Sequence, residues 1–135
     1  MFGGPGETKE TVRETLAFAN ECVRDTDAAF FNVGIRIYPG TPLERVARED
    51  GVLRIPAGEM LAPVFYVSLQ VELKWLVREL REAANRNMNF ISQDTFTLPY
   101  LPGLLAALQR LGVSQPVWRH TGRLRRGLHF LGVRT

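Results

Sequence analysis

At 135 residues, 45 % hydrophobic and 23 % charged, the chain has the make-up of one globular domain or a piece of a larger one, with enough residues to bury a core. It holds no apolar run near the roughly 18 residues of a membrane span, no leader of the basic-then-apolar kind, and a single cysteine, Cys22, which excludes an internal disulfide and makes a cytoplasmic setting the expectation. The net charge of +3 is uneven: residues 1–94 carry all 14 acids and 11 of the 17 bases, whereas 95–135 carry six arginines and no acid.

The chain opens on Phe2-Gly3-Gly4-Pro5-Gly6-Glu7-Thr8, the composition of a buried strand end running through glycines into a helix. Thr8 can cap that helix and Glu10 suits the positive end of its dipole. Val12, Leu16, Ala19 and Val23 recur at helical spacing and predict a helix to about Arg24, followed by a turn at Asp25-Thr26-Asp27. Ala29 to Tyr38 reads as one strand. Phe31, Val33, Ile35 and Ile37 fall on its apolar side, and Asn32, Gly34, Arg36 and Tyr38 on the other. An arginine near the end of such a strand is placed either for an anionic ligand group or for a structural carboxylate, and position alone leaves both open.

Thr41-Pro42-Leu43-Glu44 predicts a helix start, with Thr41 as cap, Pro42 where its missing N–H costs nothing and Glu44 closing a capping box; Gly51 should end it. After a loop with Pro56, Gly58 and Pro63, a long helix is expected from about Val67 to Ala84, its apolar stripe made of Leu69, Leu73, Leu76, Val77 and Leu80. Asn85 to Tyr100 reads as irregular. A third helix is expected from Pro102 to Leu111, and residues 117–131 are expected as a weak amphipathic helix whose two glycines cost about 1 kcal/mol each, so that it would need a surface to dock on.

The two glycine turns, Gly4-Pro5-Gly6-Glu7 and Gly34-Ile35-Arg36-Ile37-Tyr38-Pro39-Gly40-Thr41-Pro42-Leu43, resemble consecutive strand ends of the radical S-adenosylmethionine (SAM) enzymes, in the branch that carries a cobalamin-binding domain. The first falls on the second half of the family's GxIxGxxE pattern, with Phe2 in place of the isoleucine. The second is similar to that branch's sixth strand and the loop after it, and Pro63 to Tyr66 and Pro116 to His120 resemble its C-terminal extension. The resemblance implies an α/β fold, with residues 1–62 as the C-terminal portion of a (β/α) barrel and 63–135 as a mostly helical extension with a basic tail. It also implies that Phe2, Gly4, Glu7, Arg36 and Tyr38 line part of a SAM pocket.

The family's chemistry requires a CxxxCxxC loop that holds a 4Fe–4S cluster, and this sequence lacks it. The segment of the second strand that binds the SAM amino group and the cobalamin domain are missing too. The chain therefore looks like the C-terminal third of such an enzyme, opening at an internal methionine. SAM, a 4Fe–4S cluster and cobalamin are implied for a full-length relative, and this chain alone is expected to hold none of them and to be non-catalytic. Its expected partners are further copies of itself or the missing N-terminal part of the barrel, because a barrel cut at its fifth strand leaves open edges. Neither nucleic acid nor a membrane is expected.

Other constellations point nowhere sharper. His120 and His129 lack a cysteine or carboxylate companion at ligand spacing, Ser68 has no nucleophile motif around it, and the first glycine run lacks the Lys-Ser/Thr ending of a phosphate loop. Cys22 reads as a packed or inert side chain, and Trp75 and Trp118 as core or interface anchors. Two rival readings are a small non-catalytic α/β interaction module and a basic-tailed binder of anionic surfaces.

Overall fold

Gly34 interrupts what the alternation of residues 29–38 presents as one strand. The computed structural model describes residues 1–55, 62–92, 106–107, 110, 112 and 120–130. In these the elements run α1 (Lys9–Cys22), β1 (Ala29–Phe31), β2 (Ile35–Arg36), α2 (Pro42–Glu49), β3 (Phe65–Tyr66), α3 (Leu73–Arg86), β4 (Phe90–Ser92) and α4 (Thr121–Phe130). The α/β class is as expected. The strands form two two-stranded sheets, β1 parallel to β4 and β2 antiparallel to β3, with Phe2 adding a parallel bridge to Val33; the described residues form no closed barrel. The chain divides into one unit of Met1–Glu14 with Asn32–Arg78 and another of Thr15–Phe31 with Glu79–Thr135, the division falling inside α1 and α3.

In the first unit, Gly34 adopts φ +80°, and a Cβ there would stand 3.1 Å from the Phe65 Cβ. Only glycine meets both demands, so the extended run breaks at this point. On its far side Ile35 pairs with Tyr66 and Arg36 with Phe65, and the Ile37 N–H donates to the Val64 carbonyl at 2.9 Å. The inward residues build a core of Ile37, Ala47, Leu53 and Tyr66, flanked by Leu43, Val46, Val52 and Val64. The Tyr66 hydroxyl donates to Asp50 at 2.6 Å, so the one polar atom of this core reaches the cap residue that ends α2. Trp75 is buried, and Lys9 and Arg13, four apart on α1, lie 5.2 and 5.4 Å from its ring centroid, near enough for cation–π attraction.

In the second unit, Phe31 packs on Phe90 with ring centroids 4.8 Å apart, and Leu80, Ala83, Ala84 and Ile91 are buried with them. The tail helix finds the surface it needs here. Arg125, 4 % exposed, donates from Nη1 to the carbonyls of Met88 (3.1 Å) and Phe90 (2.5 Å) and from Nη2 to that of Ala84 (3.2 Å). It thereby satisfies carbonyls at the end of α3 and the start of β4, where a cation also favours the helix dipole. Gly122 lies against Asn89, whose side-chain N–H donates to the Arg24 carbonyl at 2.8 Å, and a Cβ at position 122 would overlap the Asn89 amide.

Several boundaries differ from the sequence expectation. The long helix begins at Leu73 rather than Val67, because Ser68 is held elsewhere: its N–H donates to the Gly3 carbonyl at 3.0 Å and its hydroxyl to the Glu7 carbonyl at 2.8 Å. Leu69 and Leu73 are exposed, and the buried stripe of α3 is Trp75, Leu76, Leu80, Ala83 and Ala84. β4 lies where an irregular segment is expected, and the helix expected at Pro102–Leu111 falls almost wholly outside the described residues. α1 ends near its expected end, and α2 stops before Gly51, which takes φ +69°.

Candidate functional site

Phe2 donates its N–H to the Asn32 carbonyl at 2.8 Å and accepts from the Gly34 N–H at 2.7 Å. The chain thus leaves Phe2, passes through α1 and returns alongside it at Val33. The first glycine turn therefore follows directly on a parallel bridge, whereas the second follows β2, which lies beyond the break at Gly34 and pairs antiparallel with β3.

The first turn is shaped by its glycines and proline. Pro5 stands second and Gly6 third, with Gly6 at φ +76° and the Glu7 N–H bonded to the Gly4 carbonyl at 3.1 Å, the signature of a type II turn. Gly3, at φ +94°, lies against Val67 and the Gly34 backbone. The carboxylate of Glu7 then accepts the Gly3 N–H, and α1 opens on a reciprocal pair in which Thr8 and Thr11 each accept the other's N–H through their hydroxyls.

The second turn repeats the device. Thr41 caps α2, its hydroxyl accepting from the Glu44 N–H at 3.4 Å and donating to the Tyr38 carbonyl at 2.7 Å. Because the Thr41 N–H is already bonded to Tyr38, Glu44 does not close the expected box on the cap. Its carboxylate reaches one residue further back and accepts the Gly40 N–H at 2.7 Å. In both turns a glycine amide is taken by the glutamate four residues on. Arg48 donates to the other oxygen of Glu44 at 2.7 Å, and this bond, followed by the Gly40 N–H, holds the Glu44 carboxyl below the usual range. An open depression of about 480 Å³ lies here, lined by Gly40, Thr41, Pro42, Glu44, Arg45 and Arg48.

The five residues expected to line a pocket separate into different roles. Phe2 is 1 % exposed and belongs to the core, bridged to Val33. Gly4 lies against Ile35, and Glu7 is half-buried and braces the turn. Arg36 and Tyr38 are exposed, the guanidinium 4.9 Å from the Tyr38 ring centroid, and Phe65, half-exposed, stands across from Arg36 in the ladder. Sequence reasoning missed three residues here. Phe65 faces Arg36, Val67 underlies both Gly3 and Gly34, and Ser68 stitches the first turn. Their alternation over 65–68 was available as a signal, but the helical spacing of the leucines that follow obscured it.

Cys22 is exposed at the end of α1, and the described residues gather no set of three His, Cys, Asp or Glu that could hold a metal ion. One thiolate does not fit a 4Fe–4S cluster, which takes three or four. No helix among the described residues is long and apolar enough to cross a membrane. No family model, curated protein or solved structure matches the chain.

Proposed function

We propose that the chain is the C-terminal part of a cobalamin-type radical SAM enzyme and forms one side of its SAM pocket, without catalytic activity of its own. The reading is supported by the parallel Phe2–Val33 bridge, since it runs the segment before the first glycine turn alongside the segment that leads toward the second, in the direction consecutive barrel strands take. In this reading Gly4 and Glu7 shape the first wall, Phe2 lies beneath it, and Arg36 with Tyr38 forms the exposed second wall. The antiparallel β3 begins the extension, and the cysteines and the cobalamin domain are supplied by the rest of the enzyme.

The test restores the missing strands by fusing to this chain the N-terminal part of a cobalamin-type radical SAM enzyme. SAM binding to the fused, cluster-loaded protein should fall about tenfold or more in Arg36→Ala, as expected for loss of a charge-assisted contact. Arg78→Ala, on the exposed side of α3, should stay within about twofold, as surface changes do. A fused protein that folds yet binds no SAM, or equal effects of the two substitutions, refutes the reading.

A further inference from the structure

Docking by Arg125 determines which residues α4 turns outward. Arg125 and Gly122 are buried, while Arg123, Arg126, Gly127 and Phe130 are exposed and fall at spacings of three and four, one continuous stripe on the opposite side of the helix. Phe130 is 92 % exposed, the most exposed large apolar side chain among the described residues. Arg126 makes an in-chain ion pair with Asp25 at 3.6 Å, but both groups remain largely in solvent, so the pair is weak. Phe130 ends the stripe one turn beyond Arg126, so an apolar group lies beside two positive charges on one exposed face.

A complementary stripe exists on the same chain. The side of α1 opposite buried Val12 and Leu16 presents Glu14, Phe18 and Glu21, all exposed, with Phe18 at 66 %. Here the phenylalanine lies between two acids, so this stripe is negative where the α4 stripe is positive. Residues 1–94 carry a net −3 and residues 95–135 a net +6, so the attraction between these surfaces is reinforced by the charge of the segments that hold them. We propose that the α4 stripe of one copy docks on the α1 stripe of a second copy, Arg123 and Arg126 against Glu14 and Glu21, with Phe130 and Phe18 excluding water between them. The contact is head-to-tail, so each copy keeps one stripe of each kind open and assembly proceeds to a ring or a longer series. It does not depend on the radical SAM reading.

Light scattering of the full chain at micromolar concentration is the experiment. Association should appear at low salt and weaken at high salt, where charges are screened within about 3 Å at 1 M. Association through open strand edges would instead persist in high salt. Glu14→Lys/Glu21→Lys and Arg123→Glu/Arg126→Glu should each weaken self-association about tenfold or more, because like charges then face each other. Mixing the two variants should restore it, since each supplies the stripe that the other's reversed stripe now fits. Phe130→Ser, which leaves every charge in place, should weaken it too. The proposal falls if the wild-type chain is monomeric at low salt, if either reversal leaves association unchanged, or if mixing fails to restore it. Binding to poly(U) RNA or phosphatidylserine vesicles by a chain that does not self-associate also overturns it, and assigns the basic stripe to that partner.

Discussion

The glycine turns and the docked tail helix are held in place by different kinds of contact. Each turn is closed by bonds spanning three or four residues: Gly3 to Glu7, Gly40 to Glu44, Thr41 to Glu44. Among the described residues, the tail helix is bonded chiefly through Arg125, which reaches 35 to 41 residues back along the chain. A short-range device is written in adjacent letters and forms as soon as the backbone takes the right dihedral angles. A long-range one requires α3 and β4 to be in place first, because the carbonyls it binds converge only when they are. The turns should accordingly survive perturbations that release the helix.

The largest effect should come from the one position where both kinds of constraint meet. Gly34→Val imposes a β-branched residue on φ +80° and drives its Cβ toward Phe65, so we expect a loss of about 3 kcal/mol or more, read as a shift of the urea midpoint. Arg125→Met keeps a long side chain but removes donors to three carbonyls. It should cost about 2–3 kcal/mol, and amide exchange should show 121–130 deprotected while α2 and β2–β3 stay protected. If α2 and β2–β3 lose protection as well, the contrast between local and long-range closure is wrong.

Tyr66→Phe should come next, at about 1.5 kcal/mol, since it deletes the bond to the Asp50 carboxylate and leaves the ring in place. Its pH dependence sharpens the assignment. Burial, followed by the bond to Asp50 and its charge, raises the Tyr66 hydroxyl from 10.0 to about 12. Above pH 10 the unfolded chain loses this proton while the folded chain keeps it, so stability is complete below pH 10 and falls as the pH rises toward 12. Denaturant titrations from pH 9 to 12 should show that slope in the wild type and a shallower one in Tyr66→Phe. The smallest effect belongs to Glu49→Ala, whose partner Arg45 lies 3.9 Å away in open solvent, and it should stay within about 0.5 kcal/mol.

The same contrast explains what the sequence made legible. The start of α2 was readable to the residue because Thr41, Pro42 and Glu44 each act on backbone within one turn of themselves, and Gly51 marks its end by the same local logic. The buried alternation of Phe31 and Ile37 was readable for a similar reason: a period of two needs no partner to be seen. Nothing beside Arg125 in the sequence distinguishes it from Arg123 or Arg126, yet one is buried and two are exposed. β4 has three residues, too few for a period to emerge, and it exists because β1 lies parallel to it. In the candidate site, the backbone course of both turns was legible. That Phe2 is buried and Arg36 exposed was not, because the break at Gly34 lies between Val33, which pairs with Phe2, and Arg36, which pairs with Phe65.

The glutamates that close the two turns also decide what those turns can welcome. A strand end rich in glycine ordinarily offers bare amides to an incoming phosphate or carboxylate. Here the Gly3 and Gly40 amides are already bonded, each by an acid of the same chain. An anion arriving at either glycine must displace a carboxylate before it gains that hydrogen bond, though at the second turn the Arg48 guanidinium on Glu44 offsets the like charge. A neutral or positively charged group faces no such competition. The first turn thus carries its own resident acid against phosphate, whereas the second sets its acid beside Arg48 and Arg45.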